Sequence, residues 1–329
     1  MTDASDSIKE TQIVPFEMGN KRFDQVAAEL FSDYSRSRIQ GWIKDGSLTV
    51  NGQTKKTKDK LVGGETLFLD AVLVSEERWS AEPVDLDVVY QDDDIIVINK
   101  PAGLVVHPGA GTPGGTVLNG LLYRFPELAS VPRAGIVHRL DKDTTGLMVV
   151  ARNLPAQTNL SAQLQDRSMG REYLAVCMGV MTGGGVVDAP IDRHPKHRTK
   201  MAVAPEGMGR DSITHYRVEQ RFRNHTLVRC KLETGRTHQI RVHLSHIGYP
   251  LVGDSLYAGR SRLPKGVSLA VLTFLKTFKR QALHAGYLEL IHPATQEMMD
   301  WEVDLPEDFQ QLLQVMQEEV ALYGSGEDF

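Results

Sequence analysis

The chain has 329 residues, of which 41% are hydrophobic and 24% charged, and its formal net charge is −5. This composition is ordinary for a globular protein, and no run of about 18 or more uncharged apolar residues predicts a membrane span. The two cysteines are too few for a disulfide framework or a zinc site, and they fit a reducing cytoplasm.

The first part of the chain predicts a small domain of two helices and a small sheet. Residues 1–15 are polar and acidic, lack a secretory signal pattern, and are predicted to be a disordered tail. Apolar residues at helical spacing then predict one helix from Phe23 and a second that ends near Gly46. A strand, a hairpin turn at Asn51-Gly52 and a returning strand follow. We predict that this domain spans residues 16–75.

Charge is distributed unevenly along the chain. Residues 36–60 carry seven basic residues against two acidic ones, a local balance of +5. Residues 76–94 carry eight acidic residues against one basic one, a local balance of −7, and residues 76–86 are predicted to be a linker. A polyanion responds to the field within a Debye length of roughly 8 Å, so the basic block is a candidate RNA surface. Its alternative is a solvated charged face; the candidate contacts are Arg36, Arg38, Lys44, Lys55 and Lys56.

The remainder of the chain has a different pattern, in which short strands outnumber helices. A hairpin and a strand over residues 103–108 come first, and helices are predicted at about 116–125, 155–166, 236–246 and 268–280. Because no regular βαβ alternation appears, we predict an α+β domain on a mixed, mostly antiparallel sheet over residues 87–312. Residues 313–329 are predicted to be an acidic C-terminal tail.

A glycine-rich stretch resembles the outline of a dinucleotide-binding loop. Gly109, Gly111 and Gly114 have the G-x-G-x-x-G spacing between a predicted strand and a predicted helix. Pro108 and Pro113 remove backbone donors that a phosphate cradle needs. We therefore favour a mobile loop beside a substrate groove over a nucleotide cofactor.

Histidines occur in two groups that could suggest a metal. His194 and His197 form an H-x-x-H pair, and His238, His243 and His246 crowd one helical segment. No H-E-x-x-H sequence occurs, and no acidic residue lies within either group to complete a ligand set. No metal site is predicted.

The segment H-R-L-D-K-D-T-T-G, residues 138–146, presents Asp141 on a polar turn beside His138 and Arg139. One interpretation is a salt-bridged turn in which the hydroxyls of Thr144 and Thr145 cap the carboxylate. The other is a catalytic carboxylate that Arg139 or Arg241 keeps ionised and aims at an anionic substrate. The spacing alone leaves both interpretations open.

A second polar cluster occurs in the stretch 235–254. Clustered Arg and Gln side chains suit the recognition of anions and base edges, and Thr237 is predicted to help start a helix. The residues concerned are Arg236, His238, Gln239 and Arg241.

Taken together, these segments resemble RNA pseudouridine synthases of the RluA type. The carriers of the resemblance are N-K-P-A-G-L-V-V-H-P-G (99–109), H-R-L-D-K-D-T-T-G-L-M-V-V-A-R (138–152), R-E-Y-L-A-V (171–176) and G-R-T-H-Q-I-R-V-H-L-S-H-I-G-Y-P-L-V-G-D (235–254). Residues 22–52 resemble an S4 RNA-binding domain. The motifs keep the family's order, and the likeness covers about residues 20–305.

The resemblance implies a role for four residues. Asp141 matches the family's catalytic aspartate, and Tyr173 matches the tyrosine that packs on the target base. Arg241 matches the basic residue that pairs with the aspartate, and Arg139 matches the arginine that fills the gap left by a flipped nucleotide. Neither a metal nor another cofactor is implied.

The implied function is isomerisation of uridines in large-subunit (23S) ribosomal RNA, at the helix 69 stem-loop. The implied fold is the pseudouridine synthase fold with an N-terminal S4 domain, acting in the cytoplasm as a monomer on ribosomal RNA or a 50S precursor particle. Two alternatives remain: the same chemistry on another RNA such as tRNA, and a non-catalytic RNA-binding assembly factor.

Overall fold

The computed structural model describes residues 7–31, 34, 36–72, 79–109, 111–197, 199–205, 207–259 and 266–324. The chain forms two compact units, residues 1–78 and residues 79–329, here called the N-terminal and C-terminal units. Within the described ranges, every helix is too short or too polar to cross a membrane.

The N-terminal unit packs two helices on a three-stranded antiparallel sheet. Its elements are β1 (Ser7–Ile13), α1 (Phe23–Leu30), α2 (Arg36–Asp45), β2 (Leu48–Val50) and β3 (Thr66–Val72). The strand order is β1-β3-β2. The apolar faces of both helices supply the core, where Phe23, Val26 and Ile39 are fully buried against Leu67. Both predicted helices and the turn at Asn51-Gly52 are confirmed, but the predicted returning strand is limited to a single bridge between Val50 and Gln53, because β2 pairs with β3 instead.

The prediction of a disordered tail over residues 1–15 is wrong for residues 7–13. These residues form β1, which pairs along its whole length with β3, from Ser7 opposite Val72 to Ile13 opposite Thr66. The sequence gives little local indication of this strand, because its stability comes from backbone hydrogen bonds to a segment far along the chain. Residues 1–6 lie outside the described ranges.

The C-terminal unit contains eleven strands and five α-helices among its described residues, with short 3₁₀ turns at residues 126–130 and 132–135. In chain order they are β4 (Asp87–Gln91), β5 (Ile95–Lys100), α3 (Val117–Arg124), β6 (Thr145–Ala151), α4 (Leu154–Gln165), β7 (Gly170–Met178), β8 (Gly185–Asp188), β9 (Ile191–Arg193), β10 (Met201–Val203), β11 (Ile213–Arg221), β12 (His225–Leu232), α5 (Gln239–His246), α6 (Leu269–Thr277), β13 (Leu283–Ile291), β14 (Met298–Glu302) and α7 (Glu307–Tyr323).

Nine of these strands form one central sheet. The order is β4-β5-β6-β13-β7-β12-β11-β8, with β14 added to β13, and β9 and β10 form a separate hairpin. The pair β6 and β13 is parallel, whereas every other adjacent pair in the described sheet is antiparallel. The predicted α+β class and the mixed, mostly antiparallel sheet are confirmed.

Helices cover both faces of the central sheet. On one face α3 and α5 pack on residues such as Ile96 and Met148, and on the other face α4 packs on Ile95 and Val149, with α7 over β7. Because both faces are buried, β5 and β6 are almost continuously apolar rather than alternating. This double cover fixes the strand ends that carry the polar motifs.

Two free cysteines lie inside this sheet. Cys177 on β7 and Cys230 on β12 are fully buried. Burial raises the pKa of Cys177 and raises the pKa of Cys230 to about 12, so both thiols stay protonated.

The predictions for three segments of this unit are corrected. Residues 103–108 are not a strand, although Val106 is buried. The described half of the predicted linker, residues 79–86, packs on α3, where Asn119 Nδ2 donates to the Ser80 carbonyl at 2.7 Å. Residues 313–323 continue α7 rather than form a tail. In each case tertiary burial decides a segment whose local pattern is ambiguous.

Gly146 closes the polar turn at the start of β6, where β6 meets β13. Its φ is +111°, a backbone conformation that side chains strongly disfavour, and an added Cβ would lie 2.1 Å from the carbonyl oxygen of Ala285. Only glycine allows β6 and β13 to approach this closely directly after the Asp141 turn.

We expect Gly146→Ala to lower the free energy of unfolding of the C-terminal unit by about 3 kcal/mol or more, because backbone strain and overlap add. Urea unfolding followed by circular dichroism measures the change. Gly183→Ala is the matched control in the same unit, since an added Cβ there meets nothing within 4 Å. Equal unfolding midpoints for the two variants would contradict this account of the turn.

Buried histidines make the C-terminal unit sensitive to acid. Burial lowers the pKa of His225 from 6.5 to about 4, and burial together with the nearby Arg171 charge lowers the pKa of His138 to about 3. Both side chains are therefore neutral in the folded chain at pH 5, whereas the same residues in the unfolded chain take up protons below pH 6.5.

We expect the free energy of unfolding to fall as the pH drops from 6.5 to 4, since only the unfolded state binds these protons. Each histidine contributes a slope of up to about 1.4 kcal/mol per pH unit. Urea midpoints at pH 7, 6 and 5 measure it, and His225→Gln should make the slope shallower while the two curves stay parallel between pH 7 and 8. An unchanged slope in the variant would show that His225 is not the group that titrates.

Candidate active site

A cavity of about 680 Å³ lies in the C-terminal unit. Three segments that are distant in sequence line it: residues 137–141 before β6, Arg171 and Tyr173 on β7, and residues 232–241 from the end of β12 into α5. Seven predicted site residues meet there: Asp141, Tyr173, Arg241, Arg139, Arg236, His238 and Gln239. The sheet order explains the meeting, because β13 alone separates β6 from β7.

Arg241 lies between two carboxylates. Its Nη1 donates to Asp141 Oδ2 at 2.8 Å, while Nε and Nη2 donate to the two oxygens of Asp254 at 2.7 and 3.0 Å. Burial by itself lowers the pKa of Arg241, but the hydrogen bonds and charges of Asp254 and Asp141 raise it above its usual value. The bidentate bond to the fully buried Asp254 fixes the guanidinium, which then orients Asp141.

Of the two cations that the sequence offered as partners of Asp141, Arg241 makes the contact and Arg139 is exposed at the cavity. The predicted hydroxyl caps are wrong. Thr145 Oγ1 bonds with His284 Nδ1 at 2.9 Å, and Thr144 Oγ1 accepts from Gln281 Nε2 at 3.1 Å. Because these hydroxyls anchor the turn to β13 and its preceding residues, they leave the carboxylate of Asp141 uncapped.

Hydrogen bonds from Lys100 to the backbone support the turn that carries Asp141. Its buried ammonium donates to three backbone carbonyls, those of Pro101, Leu104 and Lys142, at 2.7, 3.0 and 2.9 Å. Burial lowers the pKa of Lys100 to about 8, although the charges of nearby acidic groups oppose that shift. The lysine thus joins the loop after β5 to the residue that follows Asp141.

His238 approaches the second oxygen of Asp141. Its Nε2 lies 3.8 Å from Asp141 Oδ1, and its Nδ1 lies 2.7 Å from the Tyr257 hydroxyl oxygen. That oxygen also accepts the backbone N–H of Met201 at 2.8 Å, so its own hydrogen is free to donate to Nδ1. Burial lowers the pKa of His238 despite the Asp141 charge, so the neutral ring directs its Nε2–H toward Asp141.

The backbone of His238 is in the left-handed region, with φ of 58°, and α5 begins at the next residue. The helix therefore starts later than predicted, and Thr237 does not cap it. A non-glycine residue with this conformation costs about 1 kcal/mol or more and is typical of a functional position. The conformation turns the His238 ring back to the cavity.

Tyr173 forms an apolar wall of the cavity. It is buried on β7 and belongs to the core cluster on the α3 and α5 face of the sheet. Burial raises the pKa of Tyr173, so its hydroxyl is protonated at neutral pH. Leu232 and Leu283 extend the same wall, which gives a flat ring a surface to pack on.

Protein groups occupy the whole side-chain amide of Gln239, which the sequence predicts to contact RNA. Nε2 donates to the Ile213 carbonyl and to Thr214, and Oε1 accepts from the Thr234 hydroxyl and the Arg236 backbone N–H, all at 2.9 to 3.0 Å. We replace the predicted RNA-binding role by a positioning one. Gln239 locks the turn that carries Arg236 and His238 over the cavity.

The glycine stretch of residues 109–115 has no room for a phosphate at the start of α3. Glu82 Oε2 accepts the Gly115 N–H at 2.7 Å, and an added Cβ at Gly114 would lie 2.4 Å from the same carboxylate. An acidic side chain therefore occupies the position where a dinucleotide fingerprint holds a pyrophosphate. The residues present do not fit a nucleotide cofactor.

One group of side chains in the described ranges has metal-like spacing. Ligand atoms of Asp92, Asp94 and His292 lie within 4.8 Å of one another. Both Asp92 oxygens already accept hydrogen bonds, from the backbone N–H groups of residues 94 and 95 and from Tyr90 and His292. These bonds close the β4–β5 turn, so we assign no metal to it.

The other predicted RNA contacts belong to the N-terminal unit. Lys44 and Lys56 are exposed, and Lys55 is half-buried. The side chains of Arg36 and Arg38 lie outside the described part of the structure.

Sequence reasoning missed three residues of the site. Lys100 and Asp254 stand inside quoted motifs, in N-K-P-A-G and at the end of Y-P-L-V-G-D, but nothing local shows that they are buried. Tyr257 lies beyond the motifs, and only the fold brings it onto the His238 ring.

Comparison with known proteins agrees with this geometry. Residues 94–246 match the family of RNA pseudouridylate synthases, and residues 21–67 match the S4 domain. The solved structure of human RNA pseudouridylate synthase domain containing 4 superposes with a TM-score of 0.55 at 29% identity, covering 70% of this chain and 93% of that one.

Curated relatives match over almost the whole chain. A Pseudomonas aeruginosa protein named ribosomal large subunit pseudouridine synthase D is 56% identical over 96% of this chain and 98% of its own length. The protein of that name from Escherichia coli K12 is 57% identical over 90% of both chains. The chain therefore belongs to the RNA pseudouridylate synthase family, isomerases that act on RNA, and it carries an S4 domain in front of the synthase domain.

Proposed function

We propose that this chain isomerises uridines of large-subunit (23S) ribosomal RNA to pseudouridine in the helix 69 stem-loop, with Asp141 as the catalytic carboxylate. The names of the relatives support the choice of RNA. One observation carries the chemistry. Arg241 fixes Asp141 Oδ2, whereas Oδ1 accepts no hydrogen bond from any described residue and faces the cavity that Tyr173 lines.

The reaction breaks the C1′–N1 bond of uridine, turns the uracil and rejoins it through C5. An ionised carboxylate serves this chemistry in one of two ways. It attacks C1′, as the nucleophile of a retaining glycosidase does, or it takes the C2′ proton to give a glycal. Both routes need one carboxylate oxygen free and the other held, which is the geometry of Asp141.

Reaching C1′ requires the target nucleotide to leave its stack, at a cost of a few kcal/mol. Arg139 is exposed beside the cavity and is the residue that fills the gap in the RNA. The extruded base packs on Tyr173, where the apolar wall excludes water while the base is detached. Arg236 and His238 face the same substrate from the turn before α5.

The S4 domain supplies a second RNA contact through its basic residues, Arg36, Arg38, Lys44, Lys55 and Lys56. Single-stranded loops are the usual targets of sequence-specific RNA recognition, which agrees with a stem-loop substrate. The proposal includes a monomeric enzyme that works in the cytoplasm on ribosomal RNA or on a 50S precursor particle and thereby supports ribosome assembly.

We expect Asp141→Asn to lower tritium release from large-subunit RNA labelled with 5-³H-uridine by about 10³-fold or more, since an amide neither attacks C1′ nor accepts a proton. Asp143→Asn is the matched control, because it makes the same change two residues along the turn. Free RNA and purified precursor particles are assayed side by side. Wild-type rates in the Asp141 variant would refute the assignment.

Primer-stop mapping of pseudouridines in a deletion strain tests the substrate. Complementation with the wild-type chain should restore the helix 69 signals, and the Asp141 variant should not. Unchanged helix 69 signals in the deletion strain would overturn the proposed site, and signals lost from tRNA would establish the tRNA alternative. Tight RNA binding by a wild-type chain that releases no tritium would identify a non-catalytic assembly factor.

Removing basic residues of the S4 domain should weaken RNA binding and flatten its salt dependence. For Arg36/Arg38/Lys44→Ala we expect the log–log slope of affinity against salt to decrease by about 0.7 per lost phosphate contact. Filter binding at several salt concentrations measures the slope. Lys9→Ala is the control, since Lys9 already pairs with Asp70 at 3.1 Å. An unaltered slope would mean that the basic face is merely solvated.

A further inference from the structure

Arg171 is a buried cation that makes no ion pair with any residue that the structure describes. Its side chain lines the cavity, and the residue is only 5% exposed. Its Nε and Nη2 are buried and have no hydrogen-bond partner among the described residues. Leaving a buried charged donor unsatisfied costs more than leaving a neutral one, so such a group calls for an explanation.

The other buried arginines of the described chain are compensated. Arg241 is held by Asp254 and Asp141, and Arg280 makes a bidentate pair with Asp308 at 2.6 and 2.7 Å. Burial lowers the pKa of Arg171, and the nearby Arg236 charge adds to that shift. A folded protein pairs its buried guanidinium groups with carboxylates, and Arg171 alone among these three lacks one.

Among the described residues, no side chain covers Nη1 of Arg171 on the side of Gly235. Gly235 lies directly in front of the guanidinium, since an added Cβ there would lie 2.7 Å from Nη1. Two acidic residues of the cavity are already paired: Glu233 with Arg167 and His215 at 2.7 and 2.6 Å, and Asp141 with Arg241 at 2.8 Å. The missing partner is therefore expected to come from the substrate.

The position favours the base over the RNA backbone. Phosphates stay at the solvated rim, where Arg139 is exposed. Arg171 and Tyr173 are two residues apart on β7, so both face the cavity from the same side of the sheet. A flat base that packs on the Tyr173 ring brings its carbonyl oxygens beside a planar guanidinium, whose geometry suits them.

We propose that Arg171 binds the uracil base and stabilises the anion formed when the C1′–N1 bond breaks; this rests on the proposed function and adds a substrate-binding residue to it. The bonding electron pair leaves with N1, and the negative charge spreads over N1, O2 and O4. Asp141 loses its charge in the same step, either to a new bond to C1′ or to the C2′ proton.

No proton moves to or from Arg171. The guanidinium remains charged, donates hydrogen bonds to the anionic oxygens, and releases them when C5 bonds to C1′. In that step the Asp141–C1′ bond breaks, or Asp141 returns its proton to C2′ of the glycal, so the carboxylate is regenerated. The C5 proton is then lost and N1 regains one, so the base is neutral at the end. Stabilisation of this kind resembles an oxyanion hole, because the donors are in place before the charge develops.

Arg171→Met tests the proposal, since methionine fills similar volume without charge. Replacing an uncompensated buried charge with an apolar side chain should leave the urea midpoint unchanged or raise it. With enzyme in excess over 5-³H-uridine large-subunit RNA, the single-turnover rate should fall about 10²-fold, as when one oxyanion donor is removed. RNA affinity and its salt slope should stay unchanged, and Arg171→Lys should recover part of the rate.

A second substrate separates base binding from structural support. RNA with 5-fluorouridine releases a more stable base anion, because fluorine withdraws electron density. The rate at which this substrate is consumed is followed in nuclease digests. Arg171→Met should therefore lower this rate by a smaller factor than it lowers the rate of the uridine reaction. Equal losses for both substrates with a lowered urea midpoint would assign Arg171 a structural role and overturn the proposal.

Two further outcomes complete the test. Weaker RNA binding with a salt slope reduced by about 0.7 and an unchanged single-turnover rate would assign Arg171 to a phosphate and overturn the base contact. A rate in Arg171→Met equal to that of an active wild type would refute the inference alone. Failure of the proposed function appears differently, as a wild type without tritium release or as activity that survives Asp141→Asn.

Discussion

The arrangement of the site depends on the ion pair between Arg241 and the buried Asp254. Asp254 is closed to solvent, so its two bonds hold the guanidinium from the side away from the cavity. Only the third bond, to Asp141, faces the substrate side. Because Asp254 is closed to solvent, protein groups alone fix the guanidinium that orients Asp141. Lys100 adds a second fixed point beneath the same turn.

Much of the fold could be predicted from the sequence, because the apolar pattern states which elements are buried. Continuous apolar residues in β5 and β6 and helical spacing in α1 and α2 are strong local signals. The errors occur where burial depends on distant residues. Ser7–Ile13 becomes a strand because β3 pairs with it, and residues 103–108, although apolar, find no strand partner.

The residues of the candidate site could be predicted from sequence motifs. Which of its charged and polar groups have partners could not be predicted. Sequence brings Asp141, Tyr173 and Arg241 to attention through the family pattern, and the sheet places them on one cavity. The neighbours in space decide that protein partners saturate Gln239, whereas Nε and Nη2 of Arg171 have no partner among the described residues. Two polar residues of equal standing in the sequence thus have opposite roles.

The two buried cysteines make opening of the central sheet measurable. Cys177 follows Arg171 and Tyr173 on β7, and Cys230 lies on β12 directly opposite Tyr173. A thiol reacts only as the accessible thiolate, and in the closed sheet both thiols are buried and protonated. The rate at which a thiol reagent labels them therefore depends on how often the sheet opens. It reports how often the part of the sheet that carries Tyr173 opens.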